Sequence, residues 1–379
     1  MEGLSHRERV LYALEHKRPD RVPMDLGGSV TLLNDAAYFR LIEFLKLGEP
    51  VKPYRRGRTA NYYDERILDY LDIDFRHVWL HSPKNFIPQV DPDGTVYDEW
   101  GIPWRRDVKG FITIARAVLG NASFDEVIRH PWPDAYGYVR DEGVKERADW
   151  IRQNTDYALV AKHVISGGAL DYGCFLRGTE QFLIDLLINL DIVEYIVSKV
   201  VEVQIALYDI LLSSTGPQVD IVEMSQDYGT QNGPLISPKL YRLVFKKSDA
   251  RVVDFIKSKA PQSKVLLHSC GSIVDLIDDF IDVGIDIINP VQPFAAGMDH
   301  ANLKKRYGNR ICFHGGIDIQ RILPGDISVL RRFVAETINT LGSGGGYILA
   351  PANNIQGDTP PENIVSMYRT AKEMRLGKD

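Results

Sequence analysis

Cysteine is scarce in this sequence, with three among 379 residues. That is too few for a disulfide framework and suits a reducing compartment. Long apolar runs are missing as well. Stretches such as Lys264-Val-Leu-Leu-His268 and Tyr347-Ile-Leu-Ala-Pro351 end after a few residues, far short of the ~20 needed to cross a bilayer as a helix. The opening Met1-Glu-Gly-Leu-Ser-His-Arg-Glu has no basic segment leading into an apolar one, so a cytoplasmic location is expected. Positive charge is not in excess either. A net charge of −6 and a pI near 5.9, with Lys and Arg scattered among acids, argue against a nucleic-acid partner. With 44% hydrophobic and 25% charged residues, the chain can bury a full core and has no tract biased toward disorder.

Ser5 followed by Glu8 makes a capping box, and Val10, Leu11 and Leu14 continue at helical spacing, which predicts a helix over 6–16. Helical patterns recur near 35–47 and 64–72, and residues 95–106 read as a hairpin turning near Gly101, taken as an insertion. From about residue 157, short apolar runs alternate with helical ones: Leu159 to Ile165, Val219 to Ser225, Val265 to Cys270, Asp286 to Val291, Ile311 to Gly315 and Tyr347 to Pro351. Two earlier runs, Val22 to Leu26 and Phe75 to Leu80, bring the strands to eight. Eight parallel strands with intervening helices predict an α/β fold, a single-domain (β/α)8 TIM barrel over 1–379 with an N-terminal helical extension. Neither Asp25-Leu-Gly-Gly28 nor Gly342-Ser-Gly-Gly-Gly346 has the glycine spacing of a dinucleotide-binding turn.

In such a barrel the chemistry lies where strands end. One strand ends Leu266-Leu-His268-Ser-Cys270-Gly271, and side-chain alternation points His268 and Cys270 the same way. Imidazole and thiolate are a zinc-type ligand pair that asks for a third protein ligand. On the preceding strand Ile221, Glu223, Ser225 and Asp227 share a face. Glu223 is the first choice, because a carboxylate buried between apolar neighbours asks for a cation, and Asp227 is the second. A core cysteine beside a hydrogen-bonded histidine, and a structural salt bridge for Glu223, are the competing readings. Cys312 reads as a packing position and Cys174 as a loop cysteine without a partner; His314 and His163 read as structural. Asn289, Gln292, Asn353, Asn354 and Gln356 are neutral amides at strand exits that can orient a ligand or cap a turn. Nucleophile-elbow, Walker and His-Glu-x-x-His motifs are absent.

Several segments together resemble the uroporphyrinogen decarboxylase superfamily: Arg7-Glu-Arg-Val-Leu with Arg18-Pro-Asp-Arg-Val-Pro23, Gly229-Thr-Gln-Asn-Gly-Pro-Leu-Ile-Ser-Pro238, His268-Ser-Cys-Gly271, Asn289-Pro-Val-Gln-Pro293, and Gly344-Gly-Gly-Tyr-Ile-Leu-Ala-Pro351 with Asp358-Thr-Pro-Pro-Glu-Asn363. The resemblance implies a (β/α)8 barrel and one of two chemistries. True decarboxylases hold a polycarboxylate with an Arg-Gln-Ala-Gly-Arg loop and a late Gly-His-Gly; here those places read Asp25-Leu-Gly-Gly-Ser-Val-Thr31 and Asn353. An acidic mouth around Glu223 and Asp227 is also expected to repel a polyanion. Corrinoid-dependent methyltransferases, the other branch, bind zinc with a His-x-Cys pair, matched by His268 and Cys270, and a later ligand that again falls at Asn353, which leaves Glu223 as the expected third ligand. The implied function is a zinc-dependent methyltransferase, related to O-demethylases and coenzyme M methyltransferases. It would move a methyl group from a small methoxylated aromatic to a corrinoid on a separate protein, since the corrinoid motif Asp-x-His-x-x-Gly is missing. Glu223, Asp227, His268 and Cys270 are the expected catalytic residues. Tyr228, Gln231, Asn289, Gln292 and Asn353 are the expected substrate contacts, with Tyr172, Tyr228, Phe294 and Trp79 as aromatic walls. A metal-free carboxy-lyase and a non-catalytic small-molecule binder are the alternatives, and a homodimer is the default assembly.

Overall fold

The structure, a computed structural model, describes residues 3–107 and 112–374. Its strands, in chain order, are β1 (Phe75–Val78), β2 (Val96–Tyr97), β3 (Pro103–Arg106), β4 (Ile112–Ile114), β5 (Ala158–Ala161), β6 (Ile221–Ser225), β7 (Lys264–His268), β8 (Ile287–Asn289), β9 (Cys312–Ile317) and β10 (Tyr347–Pro351). Seven of them form one parallel, curled sheet in the order β1-β5-β6-β7-β8-β9-β10. Every residue of β1, β5, β6, β8, β9 and β10 is buried, as expected where a parallel sheet has helices on one face and a packed interior on the other. The fold is the expected TIM-barrel type.

The eighth strand, expected over Val22 to Leu26, is reduced to one parallel bridge between Met24 and Leu349. Pro23 lacks the amide hydrogen a full ladder needs. The segment still spans the gap. Asp25 N donates to Leu349 O, Leu349 N to Pro23 O, and Asp74 N, just before β1, to Met24 O. Asp74 secures this closure from a fully buried position: its carboxylate accepts from Arg9 Nη1 at 2.6 Å, Arg21 Nη1 at 2.7 Å and Met24 N at 2.7 Å. The early arginine-rich motifs thus serve the fold.

The first helix runs His6–Leu14, and the Ser5–Glu8 capping box forms as expected. The hairpin also forms, turning at Gly101 with φ +71°, and acquires a third strand: β2, β3 and β4 are one antiparallel sheet, with Trp104 paired to Val96 on one side and Ile114 on the other. Cys174 lies in the helix Ala169–Arg177, not in a loop. Among the described residues no helix is long and apolar enough to cross a membrane.

Candidate metal centre and the adjoining cavity

His268 is the last residue of β7, and the chain turns at once through Gly271, whose φ is +79°. A Cβ at Gly271 would lie 2.6 Å from Thr230 O, so glycine is what lets the loops after β6 and β7 touch. Ser272 N donates to Thr230 O at 2.7 Å, and Asp227 Oδ1 accepts from Cys270 N at 2.8 Å. Three ligand-type side chains meet there. His268 Nε2 lies 3.4 Å from Cys270 Sγ and 3.6 Å from Asp227 Oδ1, and all three donor atoms fall within 4.8 Å of one another. Tetrahedral zinc with bonds of roughly 2.0–2.3 Å holds its ligands about 3.3–3.8 Å apart, and both distances from His268 Nε2 fall in that range.

A buried chain of hydrogen bonds sets the tautomer of His268. Burial alone would raise the Asp25 carboxyl, but His77 and His314 on either side hold it well below the usual carboxylate range. As a carboxylate it can only accept, so His314 Nε2–H donates to Asp25 Oδ2 at 3.0 Å. His314 Nδ1 then accepts from Asn289 Nδ2 at 2.7 Å, and Asn289 Oδ1 accepts from His268 Nδ1–H at 2.5 Å. That leaves Nε2 as the ring atom facing Cys270 and Asp227. Burial disfavours the imidazolium, yet Cys270 and Asp227 raise the His268 pKa to about 10. A metal bound there would displace the proton from Nε2.

Asn353 Nδ2 sits 3.3 Å from Cys270 Sγ. Gln292 Nε2 is 4.0 Å from the same sulfur, while its Oε1 accepts from Gly271 N at 2.7 Å. Asn289, Gln292 and Asn353 are therefore all at the cluster or directly behind it. Glu223 is not. Strand register gives the reason: Ser225 pairs with His268 and Glu223 with Leu266, so Glu223 lies about 6.6 Å deeper in the barrel. Its carboxylate accepts from Ser29 Oγ and, at 3.1 Å, from Ser29 N. Asp227, two residues past the strand, is carried over the mouth by the loop. Tyr228 points into the helix layer, where its hydroxyl donates to Asp249 at 2.8 Å, and Gln231 donates to Phe294 O on the surface. Phe294 is 41% exposed and packs on Phe333. These three do not join the cluster.

Sequence reasoning passed over Asp171. Its Oδ2 accepts from Asp227 N at 3.0 Å and Gly168 N at 3.1 Å, which ties the loop after β6 to the helix after β5. Burial and the neighbouring Asp227 push its carboxyl up to about 7. Its position three residues after Gly168, at the start of the helix following β5, was a capping signal at the functional end of the barrel.

Beside the cluster lies a cavity of about 850 Å³, walled by the three-stranded hairpin and by the loops leaving β1 and β5. Trp79 and Tyr172 line it, whereas Asp227, His268 and Cys270 do not; Tyr172 follows Asp171 in the chain, and Ser29, also in the lining, bonds Glu223. Neither Glu223 nor Asp227, the acids of the expected acidic mouth, lines this cavity. Seven Arg or Lys side chains line the cavity against three Asp or Glu. The acids are engaged: Asp93 with Arg105, Glu99 with Arg140, and Asp98 with Trp104 Nε1 and two backbone amides. The run Arg55-Arg56-Gly57-Arg58 was the sequence signal for this surplus.

The uroporphyrinogen decarboxylase of Trichodesmium erythraeum is 28% identical over 307 residues, covering 81% of this chain and 73% of that protein. That of Nostoc punctiforme is 26% identical over 172 residues, 45% of each chain. A solved methyltransferase from Methanosarcina mazei shares the fold with a TM-score of 0.67 at 16% identity, covering 98% of this chain and 99% of that one. The sequence profile of the family described as Uroporphyrinogen decarboxylase (URO-D) matches residues 151–374, more than half of the chain and every member of the cluster. By that match, the chain belongs to the uroporphyrinogen decarboxylase family.

Proposed function

We propose that the protein is a zinc-dependent methyltransferase that takes a methyl group from a small methoxylated aromatic and passes it to a corrinoid carried by a separate protein. The observation that carries this reading is the Asp227–His268–Cys270 cluster, with His268 Nε2 turned inward by the bond from Nδ1 to Asn289. The methyltransferase named among proteins of this fold supports it. His268, Cys270 and Asp227 would hold the metal, and Asp227 takes the place expected for Glu223. When bound, zinc supplies the Lewis acidity that stabilises the phenolate oxygen as its methyl group departs. The chain's own residues prepare that site. Asn289 keeps the proton of His268 on Nδ1, Asn353 and Gln292 present N–H groups to the Cys270 sulfur, and Asp171 holds the backbone of Asp227.

The test is zinc content per chain, measured by mass spectrometry on untagged wild type, Cys270→Ala, Asp227→Ala and Glu223→Gln. About one zinc is expected in wild type and Glu223→Gln, with loss in the other two; methoxylated aromatics are then assayed with a cobalt(I) corrinoid acceptor. Wild type that takes up no zinc on reconstitution overturns the reading. A second reading, a metal-free carboxy-lyase, is favoured by the cationic cavity and by the decarboxylases among the relatives. Carbon dioxide released from a polycarboxylate by zinc-free protein would select it.

A further inference from the structure

Tyr54 Oη, Trp79 Nε1 and Lys162 Nζ are all buried, all belong to residues lining the cavity, and none has a hydrogen-bond partner among the described residues. They belong to one cage. The Lys162 amine lies 4.6 Å from the ring centre of Tyr54, 4.9 Å from that of Tyr63 and 5.0 Å from that of Trp79, and the rings of Tyr54 and Trp79 are 4.8 Å apart. Lys162 is 3% exposed and follows β5 directly, its backbone N bonded to Val78 O. Among the described residues no carboxylate lies within ion-pair distance of it: Glu223 accepts from Ser29, and Asp25 Oδ2 from His314. Desolvation accordingly lowers its pKa well below the ordinary lysine value. The Arg55 guanidinium, 5.1 Å from the Tyr54 ring centre, also has no carboxylate partner among the described residues.

A lysine kept only for packing on the rings would leave the Tyr54 and Trp79 donors unexplained. All three groups are hydrogen donors in an apolar setting, so the missing piece is an acceptor, and the surplus of cations says that it is negative. We propose that Lys162, Tyr54 and Trp79 form a carboxylate-binding subsite, so that the substrate is an aromatic acid. This rests on the cavity serving as the substrate pocket of the proposed methyltransferase. A carboxylate brings two oxygens to the three donors and favours the charged form of Lys162, while the surrounding rings accept a flat body.

Isothermal titration of 4-methoxybenzoate and of uncharged 4-methoxybenzyl alcohol into wild type, Lys162→Met and Tyr54→Phe tests the proposal. Wild type is expected to bind the acid at least tenfold more tightly than the alcohol. Lys162→Met should lose at least tenfold for the acid with the alcohol unchanged, and Tyr54→Phe a smaller factor. The melting temperature of Lys162→Met should equal or exceed that of wild type, because a buried unpaired amine has gone. Equal binding of acid and alcohol by wild type, or undiminished acid binding by Lys162→Met, overturns the subsite; so does a Lys162→Met protein that melts well below wild type. Zinc content of the same samples separates the two ideas. Acid preference in wild type that takes up no zinc sinks the methyltransferase and leaves the subsite, whereas zinc-loaded protein without the preference does the reverse.

Discussion

Asn289 acts on the cluster from behind it, through the one imidazole nitrogen that faces away from Cys270. Its amide can satisfy His268 Nδ1–H and His314 Nδ1 together only in the orientation observed. Asn289→Leu removes both bonds and frees the ring of His268. Zinc affinity should fall by about 10- to 100-fold, the usual scale for a lost orienting partner, in competition with a chromophoric chelator; unchanged affinity would refute the role. Asp249, the partner of Tyr228, carries a different prediction. Burial pushes its carboxyl from 3.8 up to about 7, which the hydroxyls of Tyr228 and Tyr241 only partly oppose. An acid with a raised folded-state pKa contributes relative stability below its unfolded pKa and loses it as pH rises through the folded one. Relative to Asp249→Asn, which cannot ionise, wild type should lose stability between about pH 4 and 7, by at most about 1.4 kcal/mol per pH unit, and stay level above 7. Denaturant midpoints across that range check it, and a difference independent of pH would sink it.

Among the elements, the βα rhythm was legible because each parallel strand is buried on both sides and so writes itself as a short apolar run. Depth along a strand was not legible. Alternation placed Glu223 and Asp227 on one face, but only the pairing of Ser225 with His268 shows that Glu223 lies below the cluster. The segment Val22 to Leu26 has strand composition and the position of a strand, yet Pro23 limits it to a bridge and the ion cluster of Asp74 completes the closure. Asp74→Asn should therefore cost about 3–5 kcal/mol in urea unfolding, since Arg9 and Arg21 stay buried after losing a charged partner. Ser5→Ala, at the exposed capping box, should cost about 1 kcal/mol by the same measurement. Similar losses for the two would mean that the closure is not held by Asp74.

Across the whole molecule, a ligand that binds only the folded chain raises its stability by mass action. Zinc at a thousandfold excess over its Kd adds about 4 kcal/mol. For 379 residues, at ~2 cal/mol/K of unfolding entropy per residue, that is about 5 °C in Tm. Calorimetry should show this shift in wild type and none in Cys270→Ala; equal shifts in both would place the metal elsewhere. The sequence alone determined the barrel architecture and brought His268, Cys270 and the amides Asn289, Gln292 and Asn353 into view, because strand alternation and strand ends are local properties of the chain. Only the tertiary structure decided that Asp227 completes the cluster and that the cavity is cationic. Register and loop path bring residues 171, 227, 268 and 270 together, and segments around 55, 79 and 162 meet only when the sheet curls. Contacts between distant segments are set by how the sheet closes, and no periodicity along the chain encodes that distance.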